Sequence, residues 1–277
     1  MKFITTELSL GAEKPFEFLH ISDNHIALAG KGDIKRTREL AMGRAQYFRE
    51  GMKVLEEARK YANENNIFIV STGDIYDFLS EENFKFAKEY SDSVDMMFVA
   101  GNHEFSYFLG EAEEDIIYRN RNLDRVQSCF KNDIRFYVRE ENGIKLIGID
   151  NSYHQMETWQ LERLKEEALD KKPILLFMHV PLYEEKLYDY TVNVCKQSAG
   201  YEMAVPEEKI NTYKEIERRR NQKPTKVTQA AYDYILNEPL IKVVFAGHMH
   251  FDFEAPINEV TMQYLTGTTT IRKVIIK

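Results

Sequence analysis

The chain is poor in cysteine. Only Cys129 and Cys195 occur in 277 residues, too few for a disulfide framework or a thiolate zinc site. It also lacks a positive excess: 37 Lys and Arg stand against 45 Asp and Glu, for a formal charge of −8. Nonspecific binding to nucleic acid or an anionic membrane needs clustered cations, so neither partner is favoured. No apolar run approaches the roughly 20 residues a membrane helix requires. The first ten residues mix Lys2, Thr5, Thr6 and Glu7 with apolar side chains, and no basic stretch leads into an apolar one, so no signal peptide is expected. These absences together lead us to expect a soluble, cytoplasmic protein.

What is present is ample core material: 43% of residues are hydrophobic and 12% aromatic. Length alone permits one or two domains. No internal repeat, low-complexity tract or linker divides the sequence, so one domain over 1–277 is expected. Strands are predicted over 3–10 and 16–21, joined by a turn at 11–15. Apolar residues then recur at helical spacing over 37–65, with Leu40, Tyr47, Phe48, Met52, Leu55 and Ala58 near one face. A strand over 67–70 follows, then a helix over 81–90 capped by Ser80. A further strand covers 96–99, and a charged, partly helical stretch covers 109–129. A hairpin is expected around Asn142-Gly143. Further helices fall at 156–169 and 227–236, and further strands at 174–178 and 241–245. Residues 182–224 break the alternation and are too long for an ordinary connection, which suggests a functional, lid-like insertion. Strands alternating with helices argue for α/β, and the strand-rich tail after Phe251 argues for a second sheet.

Five of these strands run into short polar clusters. They are Asp23-x-His25, Gly73-Asp74-x-x-Asp77, Gly101-Asn102-His103-Glu104, His179 and Gly247-His248-x-His250. Open α/β sheets place ligand sites at the carboxyl ends of their strands. Of seven histidines, only His20 and His154 lie outside the clusters. Packing alone does not account for that concentration. Imidazole, carboxylate and amide oxygen together suit Mn, Fe or Zn. There are donors enough for two ions, and a carboxylate can bridge such a pair for displacement at phosphorus.

In this order the five clusters resemble the calcineurin-like metallophosphoesterase superfamily, and they span the chain from Asp23 to His250. The resemblance implies a four-layer α/β/β/α sandwich of two mixed sheets flanked by helices. It implies two divalent or mixed-valence transition metals (Mn, Fe or Zn). One would be held by Asp23, His25, Asp74 and His250. The other would be held by Asp74, Asn102, His179 and His248. Asp74 would bridge them, together with a hydroxide that attacks phosphorus in line. His103 would donate a proton to the leaving oxygen, oriented by Asp77. Glu104 matches the motif without a task at the metals beyond support.

Departures from the family pattern bear on substrate. Relatives that dephosphorylate proteins carry Arg just after the second Asp of the second motif and again after Asn-His-Glu. Here those places read Asp77-Phe78-Leu79 and Glu104-Phe105-Ser106-Tyr107. A monoester's extra charge benefits from such cations, so their absence tilts the reading toward phosphodiesters over phosphomonoesters. The substrate expected is a small or medium phosphate ester. Asn102, His154, Arg218 and Arg219 are candidates for contacting it, although a solvated loop fits His154 and a solvated helix face fits the arginines equally well. Tyr76 and His20 read as packed side chains. The alternatives are a noncatalytic protein-binding scaffold on the same fold, which would have no need of His103 and the donor set, and a nuclease, which would need a basic track.

Overall fold

The structure is a computed structural model that describes residues 1–107 and 115–277. In chain order it runs β1 (Lys2–Leu8), β2 (Phe16–Ile21), α1 (Lys35–Tyr47), α2 (Gly51–Asn65), β3 (Phe68–Ser71), α3 (Glu81–Asp92) and β4 (Met96–Phe98). It continues with α4 (Ile116–Gln127), β5 (Phe136–Glu141), β6 (Ile144–Ile149), α5 (Thr158–Glu167) and β7 (Ile174–Met178). Three short helices follow, α6 (Glu185–Asp189), α7 (Glu207–Ile210) and α8 (Ile216–Gln222), then α9 (Lys226–Asn237). The chain closes with β8 (Ile241–Ala246), β9 (Phe253–Pro256), β10 (Met262–Leu265) and β11 (Thr270–Ile276).

The described strands form two mixed sheets, ordered β1-β11-β2-β3-β4 and β5-β6-β7-β8-β10-β9. Period-2 alternation sorts their side chains into layers. Phe18, Val70 and Met97 of the first sheet meet Leu146, Leu175, Phe177 and Phe245 of the second in a shared core. Leu19, Ile69 and Phe98 point the other way, onto α2, α3 and α4. Ile147, Leu176 and Val244 face outward onto α5 and α9. Both faces of both sheets are therefore covered, which gives the four-layer α/β/β/α sandwich. Strands buried on both faces are nearly continuous apolar runs, as β7 (ILLFM) is.

The turn at 11–15 joins the first two strands without pairing them: β11 lies between them, parallel to β1 and antiparallel to β2. Two expectations need correction. The predicted helix over 37–65 is two helices broken at 48–50. The second helix starts at a close approach that only glycine allows, because a Cβ on Gly51 would lie 2.1 Å from the Asn24 carbonyl oxygen. Tyr47, predicted on the buried face, is 74% exposed. The stretch expected to be partly helical from 109 lies partly outside the described residues. The Ser80 cap is present, with its side chain accepting from the Asn83 N–H. The Asn142-Gly143 turn has φ values of 48° and 82°, as a tight two-residue hairpin needs.

Residues 182–224 are more ordered than their sequence suggests. Tyr188, Ala199, Val205, Ile210 and Tyr213 form a small core of their own. Leu187 packs on Ala246, Met249 and Leu265, and Tyr190 lies against Phe251 and Phe253. The segment is thus seated on the loop that carries His248 and His250.

Candidate metal centre

The parallel strands β2, β3 and β4 of one sheet and β7 and β8 of the other deliver their polar termini to one place. The backbone there is unusual. Asp23, His25, Asp74, His248 and His250 all have φ between 49° and 67°. Non-glycine residues seldom adopt that left-handed region, and clusters of it mark sites where the surroundings enforce strain. Glycine permits the close contacts behind it. A Cβ on Gly247 would lie 2.4 Å from an Asp23 carboxylate oxygen, and one on Gly101 would lie 2.1 Å from Asp74 Oδ1.

Two donor sets converge there. Asp23, His25, Asp74 and His250 bring ligand atoms within 4.8 Å of one another, as do Asp74, His179 and His248. His25 Nε2 lies 3.0 Å from His250 Nε2, and His179 Nε2 lies 3.1 Å from His248 Nδ1. Asn102 Oδ1 joins the second set, 3.0 Å from His179 Nε2. Asp74 Oδ2 sits between the sets, 3.7 Å from His25 Nε2 and 3.4 Å from His179 Nε2. It is buried without a regular hydrogen bond. Ring nitrogens and a carboxylate oxygen facing one another across a small gap fit a bound cation better than they fit each other. The donor set of imidazole, carboxylate and amide suits a first-row transition metal.

The supporting contacts have the pattern that ligating histidines require, in which the far ring nitrogen is tied to an oxygen. His25 Nδ1 meets Asp77 Oδ1 at 2.7 Å, and His179 Nδ1 meets the Thr72 carbonyl at 2.7 Å. The Asp23 carboxylate accepts from the His248 N–H at 2.9 and 3.0 Å. Glu104 is fully buried, and its carboxylate accepts from the N–H groups of Asp74, Ile75 and Gly101 at 2.7–2.8 Å. It therefore shapes the Gly73-Asp74 loop and lies behind the donors.

Asp77 faces His25 and His103 together. Its Oδ1 lies 3.1 Å from His103 Nδ1, which also meets the Asp77 carbonyl at 2.9 Å. Arg44 of α1 donates to both Asp77 oxygens, Nε at 2.5 Å and Nη2 at 2.8 Å. Burial would raise the Asp77 pKa, but the bonds from Arg44, His103 and His25 outweigh it and hold the carboxyl well below its ordinary range. Burial would likewise lower His103, but Asp74 and Asp77 outweigh it and push the imidazole up to about 10. At the rim, burial and the neighbouring His25 bring His250 down to about 4. A neutral ring is the ligating form.

The remaining candidates are distributed unevenly. His154 is fully buried, which rules out the solvated-loop reading, and its ring lies 5.3 Å from that of His248. The Arg218 guanidinium lies over Tyr201, whose ring is 6.0 Å from His248. Arg219 is directed elsewhere: its Nε donates to the Tyr213 carbonyl at 2.5 Å. Tyr76 is buried and donates to the Glu104 carbonyl. His20 is buried between Thr72 and Thr266 hydroxyls. Sequence reasoning missed Arg44 and misread Phe48. The Phe48 ring stacks on His25, with centroids 4.2 Å apart and planes at 17°. Neither belongs to a polar cluster at a strand end, and helical spacing alone assigned both to an ordinary amphipathic helix.

A family profile described as calcineurin-like phosphoesterase matches residues 16–252. The chain belongs to that family. It is accordingly a metal-dependent phosphoric ester hydrolase, from a family built on a dinuclear metal centre. Among solved structures, a dimetal phosphatase from Danio rerio is 13% identical, with 92% of this chain and 88% of that one covered at a TM-score of 0.52. A phosphopantetheinyl hydrolase from Mycobacterium tuberculosis is 12% identical, with 91% and 89% covered at a TM-score of 0.46. No curated protein matches the chain in sequence. Among the described residues, no helix is long and apolar enough to cross a membrane.

Proposed function

We propose that the chain hydrolyses a small or medium phosphate ester at this centre with two transition-metal ions (Mn, Fe or Zn), favouring phosphodiesters over phosphomonoesters. The observation that carries the reading is the convergence of two donor sets on one carboxylate, Asp74. Asp23, His25, Asp74 and His250 would hold one ion, and Asp74, Asn102, His179 and His248 the other. When bound, the pair supplies Lewis-acid charge at phosphoryl oxygens and water of lowered pKa.

The chain's own residues provide the rest. His103 keeps its proton near neutral pH and serves as donor to the leaving oxygen, in a contact with Asp77 that fixes its ring. Asn102, beside His103, contacts a phosphoryl oxygen as well as the second ion. We read 1–277 as one domain, with 182–224 as a lid that sets specificity. Its seating on the His248 loop and the stack of Arg218 on Tyr201 support that role, with Arg218 and His154 as substrate contacts. The missing motif arginines support the diester preference. The two free thiols support a reducing compartment, hence the cytoplasm.

The test is to load the protein with Mn²⁺ and compare p-nitrophenyl phosphate with bis(p-nitrophenyl) phosphate, using a chelated sample as control. Metal-dependent turnover with the diester faster is expected. A faster monoester would reverse the preference, and no turnover of either would remove the catalytic reading.

A further inference from the structure

Asp77 is 1% exposed, and its carboxylate meets Arg44, His25 and His103. The geometry is uneven in a telling way. Oδ1 takes three contacts: His25 Nδ1 at 2.7 Å, His103 Nδ1 at 3.1 Å and Arg44 Nη2 at 2.8 Å. Among the described residues Oδ2 has only Arg44 Nε, at 2.5 Å. The terminal torsion of an aspartate is broad, so nothing intrinsic to Asp77 keeps Oδ1 turned toward both rings. A planar guanidinium fork that binds both oxygens does so, which a point charge cannot reproduce.

Arg44 is itself held. Its guanidinium lies over the Phe48 ring, 4.6 Å from the centroid. Phe48 in turn stacks on His25 and meets His250 edge-on at 5.5 Å. The break between α1 and α2 is what brings Phe48 out of the helix and onto these rings. One elbow therefore touches His25 from its face and, through Asp77, from its edge.

We propose that Arg44 is a positioning residue, which locks the Asp77 carboxylate in the rotation that orients His25 toward the metals and His103 toward the leaving group. The inference rests on the metal-centre reading above. It gives this chain a guanidinium near the site from α1, although the family's motif position after Asp77 holds Phe78. The role differs from a phosphate clamp, because the Nε–Nη2 edge of the guanidinium, the edge that forks a carboxylate or phosphate, is held by Asp77.

The test uses Arg44→Ala and Arg44→Lys in the full chain, with folding checked by circular dichroism. Mn²⁺ binding is measured by calorimetry, and turnover of bis(p-nitrophenyl) phosphate is measured with and without millimolar guanidinium chloride. In Arg44→Ala, Mn²⁺ affinity at the site that includes His25 should fall by about 10–100-fold, the usual consequence of disturbing a partner behind a metal ligand. kcat should fall with it while KM stays within about twofold of wild type, and guanidinium, unlike equal KCl, should restore part of both. Arg44→Lys should fall between, and it carries the test if Arg44→Ala does not fold. Either variant retaining wild-type Mn²⁺ affinity and kcat overturns the inference, as does a loss that guanidinium leaves untouched. A wild-type protein that binds none of Mn²⁺, Fe²⁺ and Zn²⁺ overturns the metal-centre reading itself, and the inference with it.

Discussion

On the buried Asp77 carboxylate, bonds from Arg44, His25 and His103 meet. Its negative charge and its hydrogen bonds to the ring favour the protonated form of His103. An amide in place of that imidazole cannot deliver a proton, so His103→Asn should lower kcat by about 10²–10⁴-fold. Metal content by elemental analysis should stay near wild type; a fully active variant would contradict the donor role. A second residue bears on stability. Glu202 is fully buried in the insertion, with one oxygen accepting from the Glu184 N–H. Burial raises its pKa well above the ordinary value. The folded state thus favours the neutral form, and that preference is fully present below the unfolded pKa of about 4.3 and is lost as pH rises toward the folded one. Glu202→Gln keeps the acceptor and removes the ionisation. Its melting temperature relative to wild type should climb as pH rises from 5, and a flat difference would show that the folded-state pKa of Glu202 is not raised.

At the scale of elements, the parts readable in the sequence were those with local causes. The apolar runs before Asp74, Asn102, His179 and His248 end close to where β3, β4, β7 and β8 end, because strands covered on both faces are mostly apolar until they leave the sheet. The metal-site candidates were legible as residue types at those ends. Their left-handed backbone was not, since it follows from packing between two loops that are far apart in sequence. Arg44 and Phe48 were hidden for a related reason: residues 48–50 hold no Pro or Gly to announce a break, and the contact of Gly51 with the Asn24 carbonyl joins segments far apart in sequence. Gly51→Ala should force those backbones apart and cost about 1–3 kcal/mol, as overpacking does. Because Asn24 lies between Asp23 and His25, Mn²⁺ affinity should weaken too. Unchanged melting and affinity would mean that the elbow adapts freely.

For the whole molecule, the two donor sets draw on both sheets. Asp23, His25, Asp74 and Asn102 follow strands of the first, and His179, His248 and His250 follow strands of the second. The pairing of β11 between β1 and β2 closes the first sheet with the last strand of the chain, a contact no local pattern could announce. Ions held across the sandwich would bind the folded state alone and stabilise it by mass action. At about a hundredfold excess over the dissociation constant this amounts to about 2.7 kcal/mol per site. Chelation of both ions should therefore lower the melting temperature by about 10–20 °C, and an unchanged transition would place the ions outside the fold's energetics. The most direct measurement is metal stoichiometry by elemental analysis of wild type and Asp74→Asn after Mn²⁺ loading and desalting. Two ions per wild-type chain and a depleted variant are expected. Two ions retained in Asp74→Asn would contradict a centre built on that carboxylate.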